Sequence, residues 1–483
     1  MSSVSVPYQS TGLSDPSGRH PSGRQTSRAS GWVALTDAPA RGPHHGTRRG
    51  LVVREHDRLT GLAEDEQRDL ERFALAQRAD TRSQHRPVLA LRSGCLYAQN
   101  YVGVIETRRG TVIEILPKVE LTNARDDSVT SDRPAGERTD ASTDSATGQE
   151  EATRRVFLSM LRDWRRLGEA QFDAAGIRAV RRFDMLEAFV HLFLTSVILL
   201  TRRGLARAYR TREANLPCLR GRILFPPHIR ENLVDCSRFY VGFDEFTADR
   251  PANRLIHLAL RRLAGVVRHP ANRQRLHQLR IVFSGVPPST NLDDDWARHR
   301  VDRSMRHYDR VMPWVELFLF RQGLATFAGP YLNRALLFPM EEVFEDFVTA
   351  AVGRHQQRFT VRAQGPMRHL ATDGAGDRVF WLKPDIALME SRQVRFILDA
   401  KWKRLKPGET NHGISQADVY QLFAYGKRYG CRRVALLYPK TAAFRETLRF
   451  RFVEDDLALD CFPFEVADPE GAVSMMMQEL LSQ

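Results

Sequence analysis

The chain of 483 residues has few cysteines, no apolar signal core at its N-terminus and no hydrophobic run long enough to span a membrane. Its five cysteines are far apart and form no C-x-x-C pair, which argues against a disulfide framework or a zinc ribbon and fits a reducing cytoplasm. The most apolar stretch, residues 185–200, contains Glu187 and His191 and falls short of the roughly 18–20 apolar residues of a spanning helix. We therefore expect a buried core helix there, and a soluble cytoplasmic protein without a membrane partner.

Lysine is also scarce, although the chain as a whole is basic. Seven lysines stand beside 65 arginines, and the excess of cations gives a net charge of +14. That balance favours an anionic partner, with nucleic acid ahead of a membrane surface. The sequence contains no G-x-x-x-x-G-K-[ST] loop, and its Gly426-Lys427 pair lies within a predicted helix rather than after a strand. Any nucleotide hydrolysis must therefore come from a partner.

Composition and periodicity divide the chain into five segments and predict a multidomain α+β protein. Residues 1–50 are predicted to be a disordered basic leader, residues 51–121 a small β-rich domain, and residues 122–152 a flexible linker or loop insertion. Residues 153–335 carry apolar positions at helical spacing and form a helical middle region. Residues 336–483 follow the order α-β-β-β-α-β, which predicts a self-contained C-terminal α/β domain.

Three ionisable residues interrupt the central hairpin of that domain, FWLKPDIALMESRQVRFILDAKWKRL. With its turn near Arg392, Asp385 and Asp399 lie on adjacent antiparallel strands, nearly opposite each other, and Lys401 projects from the same face as Asp399. Two carboxylates this close repel unless a cation lies between them or one is protonated. Oxygen ligands suit Mg²⁺, and a neighbouring lysine orients or deprotonates a water, or stabilises the charge of a phosphorane. The alternative is a solvent-facing hairpin with an Asp–Lys ion pair.

Two flanking helices offer further candidates for this site. The helix before the hairpin carries acids at Glu341, Glu342, Glu345 and Asp346, one of which would complete a metal site while the rest form a solvated acidic face. The helix after it carries Gln421 and Tyr425 at i, i+4. This pair is either polar and directed at the site, or part of an ordinary amphipathic helix with a buried tyrosine.

The pattern Asp385…Asp399-Ala-Lys401 in this order of helix and strands resembles the core of the PD-(D/E)xK, restriction-endonuclease-like nucleases, and Gln421-x-x-x-Tyr425 resembles the extra motif of their RecB-like branch. Six segments in order are similar to McrC, the nuclease subunit of the McrBC modified-cytosine restriction system: YVGVIETRRGTVIEILPKV, LPCLRGRILF, FDEFTADRPANRLIHLAL, FPMEEVFEDFV, ILDAKWK and DVYQLFAYG. The resemblance as a whole covers residues 96–439.

The McrC resemblance implies a Mg²⁺-dependent endonuclease that cuts double-stranded DNA. It implies an McrB-like AAA+ GTPase partner, which binds the GTP and recognises the modified cytosine, and whose GTP hydrolysis is stimulated when the N-terminal region docks on its ring. By motif, Asp385, Asp399 and Glu345 become metal ligands and Lys401 the catalytic lysine. Gln421 and Tyr425 become supporting residues.

Two other functions remain open from the sequence. The chain is alternatively a non-catalytic adaptor that regulates a AAA+ partner, although its complete Asp, Asp and Lys set argues against a decayed site. The second alternative is a RecB-like repair exonuclease, which requires free DNA ends.

Overall fold

The computed structural model describes residues 50–79, 87–119, 141–165, 184–299, 303–320, 332–406, 408–453 and 455–482. The predicted leader lies outside these residues apart from Gly50, and so does the first part of the predicted linker. From Ala141 onward the chain is helical, where the sequence predicts a linker up to residue 152. An ion pair one helical turn apart, Glu150 with Arg154, stabilises that early part of the helix.

The N-terminal part is built on a four-stranded sheet. Its strands are β1 (Gly50–Arg54), β4 (Tyr101–Thr107), β5 (Val112–Leu116) and β9 (Leu332–Pro339), arranged β1-β5-β4-β9. β1 runs parallel to β5 and the other pairs are antiparallel, so the sheet is mixed, whereas the alternation of apolar and polar residues in this segment predicts a small antiparallel sheet or barrel. Helix α1 (Glu64–Ala79) and the hairpin of β2 (Leu89–Arg92) and β3 (Cys95–Ala98) pack beside it.

β9 brings a distant segment into this sheet. It pairs with β4 from Tyr101 opposite Pro339 to Thr107 opposite Leu332, and it spans the predicted domain boundary at residue 336. A Cβ on Gly103 would lie 2.0 Å from the carbonyl oxygen of Leu336, so only glycine allows the two backbones to approach this closely. Sequence periodicity carries no signal for a pairing between strands so far apart in the chain.

The middle of the chain is helical, as predicted, but it also contains a three-stranded sheet. The sheet is arranged β6-β8-β7, from β6 (Ala208–Leu216), β7 (Arg222–Ile223) and β8 (Phe239–Thr247). The helices are α2 (Ala141–Arg162), α3 (Met185–Arg202), α4 (Phe225–Asn232), α5 (Pro251–Leu263), α6 (Pro270–Val282), α7 (Leu292–Arg298), a 3₁₀ turn (Arg303–Tyr308) and α8 (Met312–Leu319).

Helix α3 is the apolar stretch that the sequence predicts to be a buried core helix. Asp184 caps it by accepting a hydrogen bond from the Glu187 N–H at 2.8 Å. Within the residues described, it is the one helix whose length and mean hydropathy of 1.5 suit a membrane span, and 61% of that window is buried inside the protein. Its apolar residues pack against neighbouring helices, which is the environment expected of a core helix.

The C-terminal part is a six-stranded sheet arranged β10-β13-β14-β15-β17-β16. Its strands are β10 (Thr360–Ala363), β13 (Ile386–Glu390), β14 (Gln393–Ala400), β15 (Arg433–Pro439), β16 (Leu448–Arg451) and β17 (Ala458–Phe464). Helices α9 (Met340–His355) and α11 (Pro469–Leu481) cover one face, and α10 (Gln416–Tyr429) covers the other. Gly430, with φ of 70°, ends α10 in the left-handed conformation that favours glycine.

One predicted strand is in fact two. The sequence predicts a single strand over RVFWLKPDIALM, but β12 (Arg378–Leu382) ends before Pro384 and pairs with β11 (Arg368–Thr372) in a separate hairpin. The new strand, β13, begins only at Ile386. Pro384 has no N–H to donate to a ladder, so the strand stops there and the chain changes direction just before Asp385.

The three predicted parts share one hydrophobic core. A single cluster of buried side chains joins β4 and β5 of the first sheet, the helices of the middle region and one face of the last sheet. β9 also runs without a break into α9, whose first residue, Met340, donates its N–H to the Asn100 carbonyl at 3.1 Å. The helix that carries Glu345 is therefore fixed to the N-terminal sheet.

Candidate functional site

The central hairpin has the register that the sequence predicts. Its two-residue turn, Ser391 and Arg392, has φ values of 48° and 68°, which suits the right-handed twist of adjoining strands. At its open end Ile386 pairs with Leu398. Asp385, one residue earlier, therefore lies opposite Asp399.

Asp399 is buried and ion-paired with Lys401. Its side chain is 1% exposed, and the Lys401 ammonium contacts Oδ2. Among the described residues, its other oxygen, Oδ1, has no hydrogen-bond partner. A buried carboxylate oxygen without a donor is costly, and it is a ready ligand for a hard cation such as Mg²⁺.

Asp385 completes a pair of facing carboxylates. Its Oδ2 accepts a hydrogen bond from the Ala400 N–H at 3.2 Å, which holds the side chain against the end of β14. Burial, followed by the charges of Asp399 and Glu345, raises the pKa of Asp385 to about 8. The carboxylate is thus held where ionisation is unfavourable unless positive charge is supplied.

Lys401 follows β14 directly and contributes positive charge to the same face. Burial lowers the pKa of its ammonium, but the charges of Asp399 and Asp385 outweigh that effect and raise it above the usual value. Lys401 therefore stays protonated near neutral pH and serves as a hydrogen-bond donor and point charge.

Among the candidate acids of α9, Glu345 is electrostatically coupled to both aspartates. Burial, then the charge of Asp346, raises the pKa of Glu345 to about 7, and Asp399 also contributes. Glu345 accepts hydrogen bonds from the Gln364 amide and from Arg165, the latter at 3.3 Å. Glu341 is exposed and accepts a hydrogen bond from Asn100 at 3.1 Å.

The acidic groups do not form a ready cluster of three ligands. In the described part of the chain, no three His, Cys, Asp or Glu side chains are grouped closely enough to hold a metal ion together. The structure thus brings together Asp385, Asp399 and Lys401, with Glu345 within electrostatic range. Two carboxylates suffice for Mg²⁺, which commonly binds through one or two of them and keeps several waters.

Gln421 and Tyr425 support the site from helix α10. The Gln421 amide donates to the Tyr425 hydroxyl at 2.8 Å, and that hydroxyl donates to the carbonyl of Lys383 at 3.1 Å. Burial raises the pKa of Tyr425 to about 12. Both interpretations of this pair hold in part, because the tyrosine is buried and its hydroxyl fixes the backbone two residues before Asp385.

Two residues near the site were not predicted from the sequence. Gln364 has φ of 53°, its N–H donates to the Asp385 carbonyl at 2.8 Å, and its amide reaches Glu345. Asp418 lies in the first turn of α10. Burial raises its pKa, although the charge of Lys401 opposes that shift. Asp418 precedes Gln421 and Tyr425 by three and seven residues, so this helical spacing could have placed all three on one face of α10. No sequence pattern near Gln364 predicts its contact with the site.

Comparisons with known proteins identify the family and a similar fold. The sequence matches the family model for the McrBC 5-methylcytosine restriction system component over residues 96–439. No curated protein matches it. The fold is similar to a chain of the refined half-complex from the tetradecameric assembly of Thermococcus gammatolerans McrB AAA+ hexamers with bound McrC. That similarity has a TM-score of 0.64 at 17% identity and covers 89% of this chain and 100% of that one.

A second similar structure is the cryo-EM structure of the Thermococcus gammatolerans McrBC complex. It has a TM-score of 0.46 at 18% identity, and the match covers 64% of this chain and 89% of that chain. The family model covers well over half of the sequence and includes the whole candidate site. The chain therefore belongs to the McrBC 5-methylcytosine restriction system component family, which confirms the resemblance predicted from its motifs.

Proposed function

We propose that the chain is the Mg²⁺-dependent endonuclease subunit of an McrBC-like restriction system, with a C-terminal domain of the PD-(D/E)xK type. The observation that carries the proposal is the facing pair of Asp385 and Asp399 beside Lys401, with a buried carboxylate oxygen that has no donor among the residues that the structure describes. A merely structural ion pair would satisfy both oxygens. An arrangement that concentrates negative charge at a strand end suits a cation-assisted reaction on an anionic substrate.

The residues present fit a magnesium ion. Asp385 and Asp399 would hold it, with Glu345, whose charge raises the pKa of Asp385, as the further acid. When bound, Mg²⁺ supplies positive charge that polarises the phosphodiester and lowers the pKa of an attacking water. Glu345 is retained as a ligand of the proposed site ahead of Glu341 and Glu342 because of its electrostatic coupling to Asp385 and Asp399.

The chain's own residues supply the remaining steps. The protonated ammonium of Lys401 donates to a phosphate oxygen and stabilises the negative charge that develops as water attacks. Asp385 is held in place by the Ala400 N–H and by the backbone that Tyr425 binds. Gln421 orients the Tyr425 hydroxyl, so both are positioning residues.

The partner follows from the similar complex, in which McrC is bound to McrB AAA+ hexamers. We extend that association to this chain and assign GTP binding and recognition of modified cytosine in double-stranded DNA to an McrB-like partner. The net charge of +14 suits contact with DNA. Stimulation of the partner's GTP hydrolysis is then a second measurable activity, independent of cleavage.

The test replaces Lys401 by alanine and measures cleavage of closed circular 5-methylcytosine DNA with the partner, GTP and Mg²⁺. Loss of an electrostatic stabiliser of this kind costs about 10²–10³-fold in rate. The matched control is Lys403→Ala, because Lys403 donates to the Gly413 carbonyl at 2.7 Å on the exposed surface. Both variants should still stimulate GTP hydrolysis.

Three outcomes would contradict parts of the proposal. Full cleavage by Lys401→Ala would remove the assigned catalytic role. A wild-type chain that stimulates GTP hydrolysis but never cuts would be a regulator of its partner. Degradation restricted to linear DNA would identify an exonuclease.

A further inference from the structure

Glu55 is a buried carboxylate far from the candidate site in sequence but bonded to the segment that carries Lys401. It follows β1 and is fully buried. The indole N–H of Trp402 donates to both of its oxygens, at 3.1 and 3.0 Å, across 347 residues of chain. The Lys118 N–H donates to Glu55 Oε2 at 3.1 Å. The N-terminal sheet thus holds the residue next to Lys401.

A second tie lies three residues beyond Lys401. The guanidinium of Arg404 donates twice to the Lys118 carbonyl, at 3.1 and 2.8 Å. Residues 401–406 belong to no helix or strand, so no ladder of hydrogen bonds fixes them. The Lys401 N–H donates to the Leu437 carbonyl at 2.9 Å, and further on Lys403 and the Lys406 N–H donate to the carbonyls of Gly413 and His412 at 2.7 and 3.2 Å. The bonds to Glu55 and Lys118 add the connection of this segment to the N-terminal part of the chain.

The ring of Trp402 also contacts the helix that carries Glu345. Its centroid lies 5.2 Å from that of Phe344, at a tilt of 56°. Trp402 therefore touches Glu55 with its N–H and α9 with its ring, while its backbone continues from Lys401. A displacement of the Trp402 side chain would therefore disturb both the backbone next to Lys401 and the helix that carries Glu345.

The cost of this arrangement indicates that stability alone does not explain it. Burial raises the pKa of Glu55 to about 8, against the opposing effects of the Lys118 N–H and Trp402. Buried polar groups are often less stabilising than well-packed apolar side chains of the same volume. What they provide instead is a directional bond that fixes one arrangement.

We propose that Glu55 and Trp402 are positioning residues for Lys401, through which the N-terminal sheet holds the end of β14 in its reactive arrangement. The inference rests on the proposed nuclease function. It adds that Lys401 is positioned by Glu55, a residue outside the proposed nuclease domain. The contact between Glu55 and Trp402 then affects the rate of turnover rather than the affinity for DNA.

The test uses Trp402→Phe, which keeps the ring against Phe344 and removes the N–H, together with Glu55→Ala and Glu55→Gln. In the full chain with partner, GTP, Mg²⁺ and 5-methylcytosine DNA, we expect kcat to fall about 10–100-fold in the first two variants, as for a displacement near 1 Å. KM for DNA should stay within about twofold, since uniform binding is untouched. Glu55→Gln retains an acceptor oxygen and should recover most of the rate.

The matched control is Glu114→Ala. Glu114 is a buried carboxylate in β5 of the same sheet, but its partner is Arg154 of α2, with a distance of 2.6 Å between Nε and Oε1. Its loss should lower stability without lowering kcat. Equal losses of kcat in Glu114→Ala and Trp402→Phe, or full kcat in Trp402→Phe, would overturn the proposal.

Amide hydrogen exchange separates this inference from the proposed function, because it needs no cleavage. The peptide that covers residues 400–406 should exchange faster in Trp402→Phe and Glu55→Ala, and at the wild-type rate in Glu114→Ala. Unchanged exchange in all variants would overturn the tie even in an active nuclease. Faster exchange in a chain that cuts no DNA would support the tie and refute only the nuclease assignment.

Discussion

Replacing Asp385 by asparagine should make the protein more stable while abolishing the proposed cleavage. Burial, followed by the charges of Asp399 and Glu345, raises the pKa of Asp385 from 3.8 to about 8. The folded state then binds this proton more tightly than the unfolded chain does. The stability that the group contributes is complete below its unfolded pKa and is lost as pH rises toward about 8.

The size of the effect follows from that shift. At pH 7 the difference between the folded and unfolded pKa values of Asp385 lowers the free energy of unfolding by about 4 kcal/mol, if the structure does not rearrange around the charge. Asparagine keeps the acceptor for the Ala400 N–H and carries no charge, so it avoids this cost. Because Asp385 is only half-buried, water reduces the gain, and we expect about 1–3 kcal/mol, equivalent to a rise of ~2–4 °C in Tm for each kcal/mol.

Thermal denaturation at pH 7 in EDTA measures the change, and Asp346→Asn is the control. Asp346 lies on the same helix as Glu345 but is paired with Arg165, whose backbone N–H it also accepts at 3.0 Å. Its replacement should lower Tm by removing about 1 kcal/mol or more. Asp385→Asn that is no more stable than the wild type, or whose advantage in Tm does not shrink as the pH is lowered from 7, would refute the electrostatic reasoning.

Three further predictions test neighbouring contacts. Affinity for Ca²⁺, measured by calorimetry, should rise by about tenfold per pH unit from pH 6 to 8, because the proton on Asp385 competes with the ion, and a flat profile would contradict this. Tyr425→Phe should lower cleavage by about tenfold with an unchanged fold by circular dichroism, since the hydroxyl's bonds to Lys383 and Gln421, each of ~1 kcal/mol, are lost, and undiminished cleavage would remove its positioning role. Arg154→Ala should cost about 3 kcal/mol in urea denaturation by leaving Glu114 buried without its cation, whereas Arg68→Ala, at an exposed pair, should cost under ~0.5 kcal/mol; equal costs would refute the argument from burial.

The central hairpin was predictable because all of its determinants are local. Alternation in two adjacent strands and a turn near Arg392 fix the register, and the register alone places Asp385 opposite Asp399. The break after β12 had a local signal too, since a proline within a predicted strand argues against continuing it. That signal was outweighed by the apolar residues on either side of Pro384.

The contacts that join the two ends of the chain could not be predicted in this way. β9 pairs with β4 across more than 200 residues, and Glu55 meets Trp402 across 347. Neither partner carries a periodic pattern that identifies the other. Gln364 is similar, because its contribution depends on a backbone conformation that its sequence neighbours do not specify.

The continuity of β9 with α9 limits how the two ends of the chain can be separated. A fragment that starts at residue 336 would cut β9 in the middle and leave β4 as an open edge, which invites association with other chains. Recombination that exchanged only the C-terminal half of the chain would create the same defect. The C-terminal sheet and its helices are thus not a separable unit, because α9 is joined through β9 to the N-terminal sheet.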